Sequence, residues 1–171
     1  FPYTTLFRSS GRDLPIEIVH GNILSLELND EYDGAFCFGN SFGYFDYGGM
    51  KQFVEKVSKC LKPKAKFIIH SGMIAESILP NFSKQRLYQI EDITMEINNE
   101  YIVEKSCMLS HITYTKNEKK EQHSFKHFVY TLAEIERLLT MFNFRTIATY
   151  SSVDKASFKL GDSHLYLVSE K

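Results

Sequence analysis

A chain of 171 residues with 43% hydrophobic and 14% aromatic side chains has the apolar material for one folded core, which excludes a wholly disordered protein. The 20 basic and 21 acidic residues leave a net charge of −1, so no global field attracts a phosphate backbone and nucleic acid is not expected as a partner. No apolar run approaches the roughly 18 residues of a membrane span and no basic-then-apolar leader opens the chain, so no membrane partner is expected either. Cys37, Cys60 and Cys107 form no CxxC pair, which fits a reducing, cytoplasmic setting.

Taken in chain order, Phe1 to Ser10 (FPYTTLFRSS) looks like translated read-through of a sequencing adapter and is set aside as a non-native scar; its aromatic and Thr content would also suit an ordinary strand. Pro15 to His20 is a β-branched run closed by Gly21-Asn22 and predicts a buried parallel strand. Ala35 to Phe38 predicts a second strand, broken into a turn by Gly39, Ser41 and Gly43. Met50, Phe53, Val54, Val57 and Leu61 then fall at helical spacing, with Pro63 as the expected stop. Lys66 to His70 predicts a third strand, and Ile74 to Leu79 a helical turn or two before Pro80. Strand, helix and strand in this order imply a parallel crossover.

From Tyr88 to Tyr130 the pattern changes to alternation, as in Met108, Ser110, Ile112 and Tyr114, with Asn117 to Lys120 as an exposed turn. This predicts an inserted antiparallel sheet, assigned to residues 86–130 of one α/β domain spanning 11–171. Thr131 and Glu134 make a capping box for a helix whose core stripe is Leu132, Ile135, Leu138, Leu139 and Phe142. Arg145 to Tyr150 and His164 to Val168 supply two final strands.

The chemistry-bearing candidates gather at strand ends. Asn40 and Ser41 sit where polar groups orient a ligand in an open α/β sheet, and Gly39 and Gly43 permit close backbone approach; the same residues also suit a plain turn. Tyr44 is a candidate hydrogen-bonding group for a substrate amine or hydroxyl, or else packs under the helix. His70 ends its strand on the same side and is a candidate general base, against a hydrogen-bonded core role. Glu76 is a candidate for a substrate cation, against a solvated helix charge. His123 and His127 lie four apart on an expected strand, too distant for easy co-ligation, so no metal is expected.

Residues Tyr32 to Gly72, with YDGAFCFGNSFGYF at their head and LKPKAKFIIHSG at their tail, resemble the second half of the class I S-adenosylmethionine-dependent methyltransferase domain. The likeness extends from about Ile16 to Lys171 through YTLAEIERLL (Tyr130 to Leu139) and MFNF. It implies a partial Rossmann-like sheet carrying an inserted antiparallel sheet. It also implies S-adenosylmethionine as cofactor, held by Asn22, Ile23, Phe38, Gly39, Asn40 and Ser41. Phe42, Tyr44 and Glu76 would touch the substrate, and Tyr44 and His70 would serve the reaction. Asn22 stands where the family has an acidic residue for the adenine amine, and Lys64-Ala65 replaces its usual two glycines. Asp33 resembles the aspartate that opens the family's fourth strand. The family's first strand with its GxGxG loop, and its second with an acidic residue for the ribose, would precede Ile16, so some sixty or more residues are expected to be absent upstream.

The function expected is methyl transfer to a nitrogen or oxygen of a small-molecule acceptor by a longer parent, with the fragment itself inactive and binding the cofactor weakly. Such a reaction needs alignment of nucleophile, methyl and sulfur more than strong acid or base catalysis. The inserted sheet would serve as a substrate lid or a homodimer surface. The rivals are a non-catalytic binding or dimerisation module on the same fold and another nucleotide-dependent enzyme.

Overall fold

The computed structural model describes residues 19–28 and 31–171. The segment 1–10 set aside above therefore lies outside the described residues, as do residues 15–18 of the expected first strand; Val19 and His20 carry no strand assignment.

Strand β1, Tyr32–Cys37, is followed by helix α1, Tyr47–Lys59. Asp46 caps α1 by accepting from the Gly49 N–H at 2.9 Å, so the helix starts three residues before Met50. It ends at Lys59, not at Pro63: the Cys60 carbonyl accepts from Tyr32 N–H at 2.7 Å, and Leu61 already belongs to strand β2, Leu61–Ser71. β1 and β2 pair parallel, with Ala35 opposite Phe67, as the crossover requires. Pro63 is tolerated inside β2 because it falls in the register shift between the Tyr32↔Leu61 and Gly34↔Lys66 pairs, where no ladder bond is asked of it. Lys64, in the same irregularity, has φ 69°, a left-handed conformation that glycine adopts more readily than lysine. Asp33 and Lys62 join the starts of the two strands by an exposed ion pair at 2.6 Å.

A short helix α2, Ala75–Ile78, leads into four antiparallel strands in sequence order: β3 (Gln85–Ile90), β4 (Ile93–Ile102), β5 (Cys107–Lys116) and β6 (Lys119–Phe128). This is the inserted sheet. The chain then returns through helix α3, Leu132–Thr140, with the capping box of Thr131 and Glu134 formed. Strands β7, Arg145–Tyr150, and β8, Leu165–Glu170, complete a first sheet of order β1-β2-β8-β7 in which β8 runs antiparallel to both neighbours.

Alternation along β2 and β8 decides where the core sits. Phe67, Ile69, Leu165 and Leu167 point to one face, where Met50, Val54 and Val57 of α1 and Ile135, Leu138 and Leu139 of α3 close over them. Ser169, fully buried on that face, is satisfied by donating to the Phe67 carbonyl at 2.9 Å. The opposite face holds Ile68, His70 and Tyr166 and ends at Phe36, which is 72% exposed. Among the described residues β1 is paired on one side only. The three cysteines are free and buried, and burial pushes the Cys37 thiol up to about 11. No helix among the described residues is long and apolar enough to cross a membrane.

Candidate functional site

The chain leaves β1 through a loop that turns left-handed at Gly39 (φ 68°), Asn40 (φ 64°) and Gly43 (φ 107°). Glycine is required at Gly43, where a Cβ would stand 2.7 Å from the Phe128 carbonyl oxygen. The loop is pinned from two directions. Toward β2, Asn40 Oδ1 accepts from the Gly72 N–H at 2.7 Å; toward the inserted sheet, the Gly43 carbonyl accepts from the Phe128 N–H at 2.7 Å. Ser41 Oγ closes the turn internally by donating to the Phe38 carbonyl at 2.8 Å.

A second link to the insert is His127, at the root of β6 and 1% exposed. Its Nε2 meets the Asn40 carbonyl; a carbonyl can only accept, so Nε2 carries the proton and Nδ1 carries a lone pair. Nδ1 has no hydrogen-bond partner in the protein. Burial holds the ring's pKa below its ordinary value, against the opposing pull of the Asn40 bond, which favours neutral imidazole near pH 7. Tyr44 lies against the ring, with centroids 4.5 Å apart.

Three concave regions meet here. An insert-side pocket of about 200 Å³ lies between the loop and the inserted sheet, lined by Asn40, Tyr44, Met73, Met108, Phe125 and His127 among others. On the far side of the loop, along the open edge of β1, a cleft of about 430 Å³ is walled by Ile23, Phe36, Phe38, Ser41, Tyr44 and Phe53. A third hollow of about 250 Å³ adjoins the first and includes Asn40, Ser77, Asn81, Arg86 and His164.

The expected site residues therefore part company. Ile23, Phe38, Ser41 and Tyr44 share the β1-edge cleft, while Gly39, Asn40 and Tyr44 line the insert-side pocket. Asn22 is exposed, and its carboxamide oxygen accepts from the Leu24 N–H at 3.0 Å in a local turn, so the atom expected to meet an adenine amine already has a partner. Phe42, expected at the substrate, is a core residue: 2% exposed, it packs against Phe53 and Tyr130. Glu76, expected to meet a substrate cation, accepts from the Leu132 N–H at 3.1 Å through both oxygens, fastening α2 to the start of α3, where a carboxylate suits the helix dipole. His70 lines none of the three hollows. Strand alternation sends it to the face away from the helices, where it stacks on Tyr166 at 4.5 Å and His164 at 5.2 Å. Desolvation first, then His164, lowers its pKa.

The structure adds residues that sequence reading passed over. His127 was weighed only with His123, which stands about 13 Å along the same strand by strand rise and is substantially exposed. Among the described residues no group of three His, Cys, Asp or Glu is placed to hold a metal ion. Met108 lies opposite His127 in the β5–β6 ladder, and this pairing, set by the turn at Asn117-Glu118, is the signal that carries His127 to the loop.

No protein-family model matches the chain, and no curated protein matches it. Solved structures do. An S-adenosylmethionine-dependent methyltransferase from Clostridium acetobutylicum superposes with a TM-score of 0.77 at 15% identity, covering 89% of this chain and 63% of that one. The CcbJ methyltransferase from Streptomyces caelestis gives 0.74 at 10% identity, over 88% of this chain and 62% of that one. CalS10, an amino pentose methyltransferase from Micromonospora echinaspora, gives 0.64 at 11% identity, over 88% and 63%. The chain thus spans under two thirds of the length of these structures, and over that span it has the Rossmann-like fold of the class I S-adenosylmethionine-dependent methyltransferases.

Proposed function

We propose that this chain is the carboxyl-terminal part of a small-molecule methyltransferase that moves a methyl group from S-adenosylmethionine to a nitrogen or oxygen of its acceptor. The observation that carries the reading is the position of Tyr44, which walls both the cleft on the open edge of β1 and the pocket under the inserted sheet. A group held in one hollow and a nucleophile held in the other would meet beside one side chain, at the carboxyl end of a parallel strand, where open α/β sheets bind ligands. The neighbours described as an amino pentose methyltransferase and a sugar N-methyltransferase support a small-molecule acceptor.

The β1-edge cleft fits part of the donor. Ile23, Phe36 and Phe38 offer an apolar wall suited to a flat base. Bound there, S-adenosylmethionine supplies an electrophilic methyl group. No acidic residue lines this cleft among the described residues, so the 171-residue chain alone is expected to bind the donor weakly. On the acceptor side, neutral His127 offers its Nδ1 lone pair to an O–H or N–H of the incoming nucleophile, and Tyr44 orients it.

The test is transfer of a labelled methyl group by the full-length parent to a library of amines, acids and hydroxyl compounds. Incorporation that drops about tenfold or more in kcat/KM in Tyr44→Ala supports the reading. Donor binding with no product across the whole library would replace it with a non-catalytic binding module.

A further inference from the structure

The insert-side pocket and the hollow beside it share Asn40, Met73, Ile78 and Arg86, so they are compartments of one concave surface. Among the described residues no aspartate or glutamate lines either compartment, and Arg86 takes part in no ion pair. Its hydrogen bond runs from Nη2 to the Asn81 carbonyl at 3.1 Å, which leaves most of the five N–H donors of a guanidinium without a protein acceptor.

Two further donors converge on the same place. Ser77 is 3% exposed, lines the hollow with Arg86, and its Oγ has no hydrogen-bond partner. Protein interiors rarely leave such a hydroxyl unpaired, and a bound acceptor atom would satisfy it. Asn40 is oriented by the Gly72 N–H: because Oδ1 must accept that bond, the amide NH₂ is turned the other way, and Asn40 lines both compartments.

We propose that Arg86, Ser77 and the Asn40 amide form a carboxylate subsite, and that the methyl acceptor is a carboxylic acid whose apolar body lies along Met73, Ile78 and Phe125 and carries, as a separate group, the amine or hydroxyl that takes the methyl group and gives up its proton. A planar monoanion matches one guanidinium fork; among the described residues no lysine and no second arginine lines either compartment, so a phosphate dianion would lack a second permanent cation. The subsite rests on the methyl-transfer reading only for the word acceptor, since recognition of the carboxylate needs no methyl donor.

The test uses the 171-residue chain without S-adenosylmethionine and follows backbone amide shifts during titration with sodium benzoate, benzamide and benzylammonium chloride. Benzoate is expected to bind about tenfold tighter than the two others and to move Gly72 and Ser77. Arg86→Gln abolishes that preference, Arg86→Lys keeps part of it, and Ser77→Ala weakens benzoate severalfold while leaving benzamide unchanged. Arg86→Lys and Ser77→Ala carry the test if Arg86→Gln fails to fold by circular dichroism. The proposal is overturned if benzoate binds no better than benzamide, if none of the three binds, or if the preference survives in Arg86→Gln. A benzoate preference alongside a failed methylation assay sinks the proposed function and keeps the subsite; methylation of neutral acceptors without that preference does the reverse.

Discussion

Among the described residues the helix-backed sheet and the inserted sheet have four strands each but bury their side chains differently. In the first, alternate residues of β2 and β8 are sealed beneath α1 and α3, and Ile69, Leu139, Leu165 and Leu167 are fully buried. In the second, only Cys107, Met108, Ser110 and His127 are buried within β3 to β6, and all four lie near the end that joins the loop after β1. Folding free energy therefore resides mainly in the first sheet. The second is a thin wall, and three of its buried residues, Met108, Ser110 and His127, also line the pocket.

The largest expected effect follows from that asymmetry. Leu139→Ala empties a fully enclosed position between α3 and the sheet and should cost about 2–5 kcal/mol, read from urea unfolding. A loss under about 1 kcal/mol would show that the core can collapse around the gap, and would weaken the contrast between the sheets.

Next comes the joint between the two regions. Gly43→Ala places a methyl group 2.7 Å from the Phe128 oxygen at a residue with φ 107° and should cost about 1–3 kcal/mol. Amide exchange should rise at Phe128, whose N–H is bound by the Gly43 carbonyl. If exchange at Phe128 stays at its original rate, the insert is held by something other than this clasp.

What could be read from residues alone divides along the same line. Periodicity revealed α3 and its capping box at Thr131 and Glu134, the parallel β1–β2 pair, and the alternation of the insert, because each is a local pattern with a single physical cause. The loop at Gly39 to Tyr44 was legible as a strand-end turn with special backbone angles. For Phe42 and Glu76 the residues show what a side chain is, not what has already engaged it: Phe42 faces Phe53 and Tyr130, and Glu76 meets a helix that starts 56 residues later. His127 was missed for the converse reason. Its significance comes from a carbonyl 87 residues away, at Asn40, which no window along the chain can include.

A smaller effect, confined to acid, probes that histidine. The folded pKa of His127 lies below its ordinary 6.5, so as pH falls the unfolded chain takes up the proton first. Stability is therefore complete above about pH 6.5 and declines below it, by at most ~1.4 kcal/mol per pH unit for one proton. His70 shifts in the same direction, so part of the slope persists without His127. His127→Gln, which retains an amide donor for the Asn40 carbonyl, should flatten the curve below pH 6.5. Identical slopes for both proteins would mean that the folded state takes up the proton at His127 as readily as the unfolded chain does.

The smallest effect is expected on β3, one of the two edge strands of the insert. Leu87 in β3 is 69% exposed and pairs across to Glu96, so replacing it with serine removes little area that folding had taken from water. The change in unfolding free energy should stay within about 0.5 kcal/mol. Set beside Leu139→Ala, the same residue type in the same chain then spans nearly the whole range that a leucine can contribute, with burial as the variable. A loss above 1–2 kcal/mol, on the order of a well-buried side chain, would mean that Leu87 is covered in solution by another surface. That would locate on β3 the contact that a lid or a second copy of the chain would make, and sedimentation of the variant against the original protein would distinguish the two, because only a second copy changes the mass.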